Sequence, residues 1–138
     1  MKIYIVAVGK LKEKYLKTAE KSYLERIKEI RDVEIIEIPD EPDSPGITSK
    51  EREGEKILSR IPKNSRVILL DINSKKAKTK DISKELKHSS VFFVIGGSRG
   101  FGDNVYEKYK SRISFSKMTF PHQVVRIVLL DQIMQVLT

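Results

Sequence analysis

The sequence contains no cysteine, and this absence removes several kinds of chemistry. Disulfides, thiolate nucleophiles, iron–sulfur clusters and cysteine-type zinc sites all need a sulfhydryl group. Histidine is scarce too, because the chain has only His88 and His122, and neither has a second histidine at ligand spacing. We therefore expect no metal centre.

Long hydrophobic runs are also missing. The most apolar stretch lies near the C-terminus, where Arg126 and Asp131 interrupt it, so no span reaches the ~20 apolar residues that cross a bilayer. The opening MKIYIVAVGK has an apolar run too short for a secretory signal and no small-residue cleavage site. These features predict a cytoplasmic protein that does not contact membranes.

The charge balance is strongly positive. The 138 residues include 27 Lys and Arg against 19 Asp and Glu, which gives a formal net charge of +8. This length fits one domain over 1–138. A basic surface favours polyanionic partners through counterion release, although a solvated lysine-rich surface would have the same composition.

Apolar strand-like segments alternate with amphipathic helical segments along the whole chain. Such alternation predicts an α/β domain with a mainly parallel sheet flanked by helices. A T-x-x-E capping box at Thr48 and Glu51 marks one helix start. The predicted strands are 2–8, 33–38, 67–70, 91–95 and 113–115, and the predicted helices are 13–31, 49–60, 81–87, 103–110 and 121–137.

The last predicted helix is apolar over most of its circumference. A helix of this kind must be buried on several sides. In a small domain a second copy of the chain can supply that burial, so the pattern favours a homodimer. A central core helix in a monomer is the alternative.

Three segments follow predicted strands and carry residues suited to a ligand. Open parallel sheets bind ligands beyond the carboxyl ends of their strands. Glycine lets the backbone approach a ligand closely, and Ser, Thr and main-chain amides beside it suit a polar small molecule. The segments are Leu70–Asp71, Gly96–Gly102 and Ser114–Pro121.

The second segment, Gly96–Gly102, differs from two known glycine motifs and matches a third. The dinucleotide pattern G-x-G-x-x-G and the P-loop are both absent. The pattern G-x-S-x-G is present at 96–100, with Asp103 and His122 following in the order of a hydrolase triad. A serine hydrolase with Ser98 as its nucleophile is therefore a remote alternative.

The segments VFFVIGGSRG at 91–100 and ISFSKMTFPHQVVRIVLLDQI at 113–133 resemble the ribosomal RNA large subunit methyltransferase H family, of the SPOUT class. MKIYIVAVGKLKEKYLKTAEKSYLERI and KEREGEKIL fit as well, so the resemblance covers nearly the whole chain. It implies methyl transfer from S-adenosylmethionine to N3 of a pseudouridine in large-subunit (23S) ribosomal RNA, with no metal. It also implies a C-terminal trefoil knot and a homodimer.

The resemblance assigns cofactor contacts residue by residue. Leu70 and Gly96 would contact S-adenosylmethionine, and six consecutive residues would wrap its adenosyl group: Phe115, Ser116, Lys117, Met118, Thr119 and Phe120.

The candidates for catalysis are His122 and Arg126. His122 is the one imidazole in the motif block, with a structural role at the helix start as its alternative. Arg126 lies one helical turn further and is suited to a phosphate of the RNA, with an ion pair in the dimer interface, to Asp131, as its alternative.

One part of the sequence departs from the family pattern. The family usually carries Glu-Gln-x-Tyr-Arg and then a terminal Tyr-His-Lys, whereas this chain has Asp131-Gln132-Ile133-Met134-Gln135 and closes at Thr138. A second hypothesis is therefore a shortened, catalytically weak member that binds the cofactor and RNA or the ribosome.

Overall fold

The computed structural model describes residues 2–42, 48–71, 73–97, 99–116 and 121–138, and for His122 it describes the backbone. Strands and helices alternate strictly from one end of the chain to the other. In chain order they are β1 (Lys2–Val8), α1 (Lys14–Lys28), β2 (Asp32–Ile38), α2 (Ser49–Arg60), β3 (Arg66–Leu70), α3 (Thr79–Glu85), β4 (Ser90–Ile95), α4 (Asp103–Lys108), β5 (Arg112–Ile113) and α5 (His122–Leu137).

The five strands form one parallel sheet in the order β2-β1-β4-β3-β5. The prediction of an α/β domain with a parallel sheet is thus confirmed. Parallel pairing places the carboxyl ends of all five strands at the same edge, and the segments that follow them lie there too.

Two element bounds differ from the prediction in ways that matter for the site. The last strand covers only Arg112–Ile113 instead of 113–115, because Ser114 leaves the sheet and pairs with Lys76 in the segment after β3. The third helix begins at Thr79 rather than Asp81, since the Asp81 carboxylate accepts a hydrogen bond from the backbone N–H of Lys78 at 2.7 Å.

Alternating side chains of the strands build a core on each face of the sheet. On one face, Ile5 and Phe93 pack with side chains of α1, α3 and α5. On the other, Val6 and Val94 pack with side chains of α2 and α4. Helices therefore cover both faces, as a parallel sheet with apolar strands requires.

The apolar helix α5 is central to the first of these cores. Leu129, Leu130, Ile133 and Met134 are buried against the sheet and its flanking helices. Val124 and Val128 remain half-buried. Polar contacts fix the helix laterally: the Tyr23 hydroxyl donates to Asp131 and the Thr79 hydroxyl donates to Gln132, both at 2.8 Å.

No helix in the described ranges is long and apolar enough to cross a membrane.

Half of the capping box predicted for α2 is observed at its N-terminus, namely the hydrogen bond to the Thr48 side chain. The Thr48 hydroxyl accepts a hydrogen bond from the backbone N–H of Glu51 at 3.3 Å. This bond satisfies one of the N–H groups that a helix start leaves without an intrahelical partner.

We expect Thr48→Ala to lower the free energy of unfolding by about 1 kcal/mol, because that N–H loses its side-chain acceptor. Urea denaturation of both proteins measures the difference. Thr48→Ser keeps the hydroxyl and is the matched control. Equal losses in the two variants would show that the hydroxyl is not the stabilising group.

Candidate functional site

The predicted cofactor segments lie side by side at the carboxyl edge of the sheet. Leu70 is the last residue of β3, and β3 lies between β4 and β5. In the strand register Leu70 pairs with Ile95 on one side and Ile113 on the other. Gly96 follows Ile95 directly, so the ends of the three strands form one continuous site.

Hydrogen bonds continue the pairing of β3 and β5 beyond the sheet. The Asp71 N–H donates to the Ile113 carbonyl at 2.8 Å, and the Ser114 N–H donates to the Lys75 carbonyl at 3.0 Å. The Ala77 N–H then donates to the Ser114 carbonyl at 2.6 Å. The segment after β3 is thereby tied to the segment after β5.

Two of the six residues predicted to wrap the adenosyl group are described. Phe115 is half-buried and packs against the core below α5. The Ser116 N–H donates to the Ser114 hydroxyl at 3.3 Å, and that hydroxyl donates to the Ser116 carbonyl at 2.6 Å, which fixes a tight turn. The remaining four, Lys117, Met118, Thr119 and Phe120, lie outside the described residues.

The glycine segment after β4 folds back on itself. The Gly100 N–H donates to the Gly97 carbonyl at 3.0 Å, and Gly100 adopts a φ of +81°, which L side chains rarely adopt. A Cβ at Gly96 would lie 3.2 Å from the carbonyl carbon and oxygen of Gly100. A Cβ at Gly100 would have no described atom within 4 Å, so the backbone at this one residue faces open space.

A buried carboxylate lies beneath the glycine segment. Glu53 of α2 is 7% exposed, and its Oε2 accepts a hydrogen bond from the backbone N–H of Glu41 at 3.0 Å. Its Oε1 lies 3.0 Å from where a Cβ of Gly97 would be. Burial raises the pKa of Glu53, and the charges of Asp40 and Glu41 raise it further, against the opposing effect of that hydrogen bond and of Arg99.

Tyr106 connects α4 to the end of β3, a link that the sequence analysis did not predict. Its hydroxyl donates to Asp71 Oδ2 at 2.9 Å, and the Arg112 guanidinium lies 4.3 Å from the centre of its ring. Burial and the bond to Asp71 raise the pKa of Tyr106 to about 12, so the phenol keeps its proton. Residues 35 positions apart carry no local pattern that predicts such a contact.

Arg126 is nearly inaccessible, with 2% exposure, and its charge is matched by nearby acceptors. Its Nη1 donates to Glu37 at 2.8 Å and to Glu20 at 3.1 Å, and its Nη2 donates to the Gly9 carbonyl at 3.0 Å. Within the chain the Asp131 carboxylate accepts hydrogen bonds from Tyr23 and Gln135, and the alternative of an ion pair in a dimer interface stays a prediction.

These contacts hold α5 against α1 and against the end of β1. In this arrangement the guanidinium of Arg126 is buried against these acceptors, and its role in catalysis stays a prediction. His122 is the first residue of α5, and its side chain is outside what the structure describes.

Two other sequence hypotheses concern the same edge. Ser98, the nucleophile of the hydrolase alternative, lies outside the described residues, and Asp103 is an exposed residue at the start of α4. Within the described ranges, no group of three or more His, Cys, Asp or Glu side chains could hold a metal ion.

Comparison with known proteins identifies the class of this fold and site. The family described as predicted SPOUT methyltransferase matches residues 1–138, and the chain belongs to this family. The family assignment confirms the resemblance found in the sequence.

Individual relatives carry a more specific name. The chain is 45% identical over 143 residues to ribosomal RNA large subunit methyltransferase H 2 of Caldanaerobacter subterraneus subsp. tengcongensis, covering 96% of this chain and 97% of the relative. It is 43% identical over 145 residues to ribosomal RNA large subunit methyltransferase H of Enterococcus faecalis, and 39% identical over 145 residues to the protein of that name from Halothermothrix orenii. Both alignments cover 96% of this chain and 91% of the relative.

The buried carboxyl of Glu53 generates a prediction about pH. A carboxyl whose folded pKa lies above its ordinary value of 4.5 binds protons more readily in the folded state, so the folded state loses stability as pH rises through this range. We expect Glu53→Gln to stabilise the protein more at pH 7 than at pH 4, because the amide carries no charge and its oxygen can still accept from Glu41.

Denaturation of wild type and Glu53→Gln at the two pH values measures this difference. Glu55→Gln, on the same helix but exposed, is the control, and its effect should not change with pH in the same way. Equal destabilisation by Glu53→Gln at both pH values would contradict the effect of burial on the pKa of Glu53.

Proposed function

We propose that the chain is an S-adenosylmethionine-dependent methyltransferase that methylates N3 of a pseudouridine in large-subunit ribosomal RNA. Its membership of the SPOUT methyltransferase family and the names of its relatives support this function. The observation that carries the proposal is the meeting of Leu70, Gly96 and the Ser114–Ser116 turn at one edge of the sheet.

The described residues fit the methyl donor. When bound, it would supply a methyl group on a sulfonium. A nucleophilic nitrogen would attack the methyl carbon in line with the bond to sulfur, and the sulfur would leave as a neutral thioether. Leu70, Gly96, Phe115 and Ser116 would border its adenosyl group, and the predicted residues Lys117, Met118, Thr119 and Phe120 would complete the pocket. The close packing at Gly96 and the open side of Gly100 leave main-chain groups free to approach a polar ligand.

The protein has two tasks in this reaction, which are alignment and proton removal. N3 of the pseudouridine must lose its proton to become nucleophilic, and His122 is our candidate for that step. Arg126 contributes to alignment, because its bonds to Glu20, Glu37 and Gly9 fix the start of α5, which follows the adenosyl-binding segment.

The proposal includes a C-terminal trefoil knot and a homodimer in the cytoplasm. The knot is supported by the pairing of Ser114 with the segment at 75–77 and by the packing of α5 on α3, which brings the C-terminal part of the chain against the loop after β3. The dimer is supported by Val124 and Val128, which stay half-buried in the single chain.

The ribosomal RNA would meet a basic surface beside this site. Lys75, Lys76, Lys78 and Lys80 are all exposed. The first two belong to the segment that pairs with Ser114, and the other two follow at the start of α3. Lysines placed this close to the methyl donor are suited to phosphates that flank the target nucleotide.

Methylation of ribosomes tests the proposed function. Ribosomes from a strain without its own pseudouridine N3 activity are incubated with the protein and methyl-labelled S-adenosylmethionine, and the modified nucleotide is mapped. We expect label at N3 of a pseudouridine in large-subunit RNA. Calorimetry with S-adenosylmethionine alone is the companion measurement.

The two measurements together distinguish the proposed function from the second hypothesis. Cofactor binding without methylation would favour the second hypothesis, a catalytically weak member that binds the cofactor and RNA or the ribosome. No binding at millimolar S-adenosylmethionine would overturn the proposal as a whole.

The lysine surface gives a separate prediction. Replacing Lys75, Lys76, Lys78 and Lys80 together with Gln should weaken ribosome binding by at least about tenfold and flatten its salt dependence, since each lost phosphate contact removes about 0.9 from the slope of log affinity against log salt. Binding is measured between 50 and 200 mM salt, roughly the range in which such contacts dominate.

A matched control removes the same charge from the opposite edge of the sheet. Lys28, Lys63, Lys84 and Lys87 are exposed near the ends of segments that lead into strands. Their replacement with Gln should leave the slope nearly unchanged. Equal effects of the two sets would show that only net charge matters and that the 75–80 surface is not the RNA contact.

A further inference from the structure

Tyr106 contacts two of the three segments that form the proposed cofactor site, and also the strand that leads into the third. Its hydroxyl donates to Asp71, which follows β3. Its ring packs edge-on against Phe101 of the glycine segment, with ring centres 5.8 Å apart, and against the guanidinium of Arg112 in β5. One half-buried side chain of α4 thus spans the ends of three neighbouring strands.

Asp71, which accepts the hydrogen bond from Tyr106, makes further hydrogen bonds through its backbone and its side chain. Its backbone N–H donates to the Ile113 carbonyl, and its Oδ1 accepts from the backbone N–H of Asn73 at 3.2 Å. Its carbonyl accepts from both the N–H and the hydroxyl of Ser74. The turn that follows Leu70 is therefore built around this carboxylate.

From that turn the hydrogen bonds lead on to the segment after β5. Lys75 and Ala77 bond the backbone of Ser114, and the Ser114 hydroxyl bonds the backbone of Ser116. The Tyr106 hydroxyl is in this way joined to a residue predicted to hold the adenosyl group. A shift of Asp71 would therefore displace Ser114 and Ser116 through this series of hydrogen bonds.

The environment of Tyr106 suits a fixed donor. Phe101 and Arg112 hold the ring on two sides, which restricts its rotation. A hydrogen bond from a neutral phenol to a carboxylate is among the stronger bonds that side chains make. The hydroxyl can therefore define where the Asp71 carboxylate lies.

We propose that Tyr106 is a positioning residue for the S-adenosylmethionine pocket, acting through Asp71 on the segments at 71–77 and 112–116. The inference rests on the proposed function of this edge of the sheet. It gives α4, a helix outside the adenosyl-binding motif, a role in the affinity for the methyl donor.

The test compares wild type with Tyr106→Phe, which keeps the ring and its contacts with Phe101 and Arg112 but removes the donor. We expect the dissociation constant for S-adenosylmethionine to rise about tenfold, as loss of one hydrogen bond to a charged group predicts. The rate at saturating S-adenosylmethionine should stay within about twofold, because Tyr106 does not touch the reacting atoms. Tyr109→Phe, at the other half-buried tyrosine of the same region, is the control and should bind as wild type does.

Amide hydrogen exchange without S-adenosylmethionine separates this proposal from the proposed function. In Tyr106→Phe, exchange should speed up in the segments at 71–77 and 112–116 while β1 and β4 exchange at their original rates. That pattern would support positioning even if wild type failed to bind the methyl donor, a failure that would overturn the proposed function alone. Uniformly faster exchange, or unchanged exchange at 71–77, would overturn the positioning role.

Discussion

The pairing of β3 with both β4 and β5 is the constraint on which the rest of the site depends. Because all three strands run parallel, Leu70, Gly96 and Ser114 must leave the sheet at one edge. Hydrogen bonds from Asp71, Lys75 and Ala77 then extend this pairing past the last residue of β5. Residues far apart in the chain, such as Leu70 and Ile113, are brought together by backbone pairing before any side chain contributes.

Buried charges divide into two kinds in this structure. Arg126 meets two carboxylates and a carbonyl, so this buried guanidinium has close partners in place of water. Arg66, whose side chain is 38% exposed, makes two hydrogen bonds of 2.8 Å to the carboxylate of Glu85. Glu53 is different, since its nearest charged neighbours include Asp40 and Glu41. The two arginines with close acidic partners hold helices against the sheet. Glu53, which has acidic neighbours, lies beside the glycine segment.

The sequence alone predicted the alternation of strands and helices, the capping of α2 and the segments at the carboxyl edge, because these depend on local periodicity and on motifs of a few residues. The partners of Arg126 could not be predicted, since Glu20 and Glu37 lie 106 and 89 positions away. The link from Tyr106 to Asp71 was missed for the same reason. The fifth strand was predicted at 113–115, but its end at Ile113 was not, because the competing pairing of Ser114 with Lys76 is a tertiary contact that no local pattern shows.

The brevity of β5 has a consequence for how the molecule moves. A strand of two residues contributes little to the cooperative unit formed by β1, β4 and their apolar neighbours. Segments with few buried apolar contacts and with backbone hydrogen bonds near the surface open at a lower free energy than the global unfolding of the protein. We therefore expect β5 to open at a lower free energy than β1 and β4, which stay folded when it does.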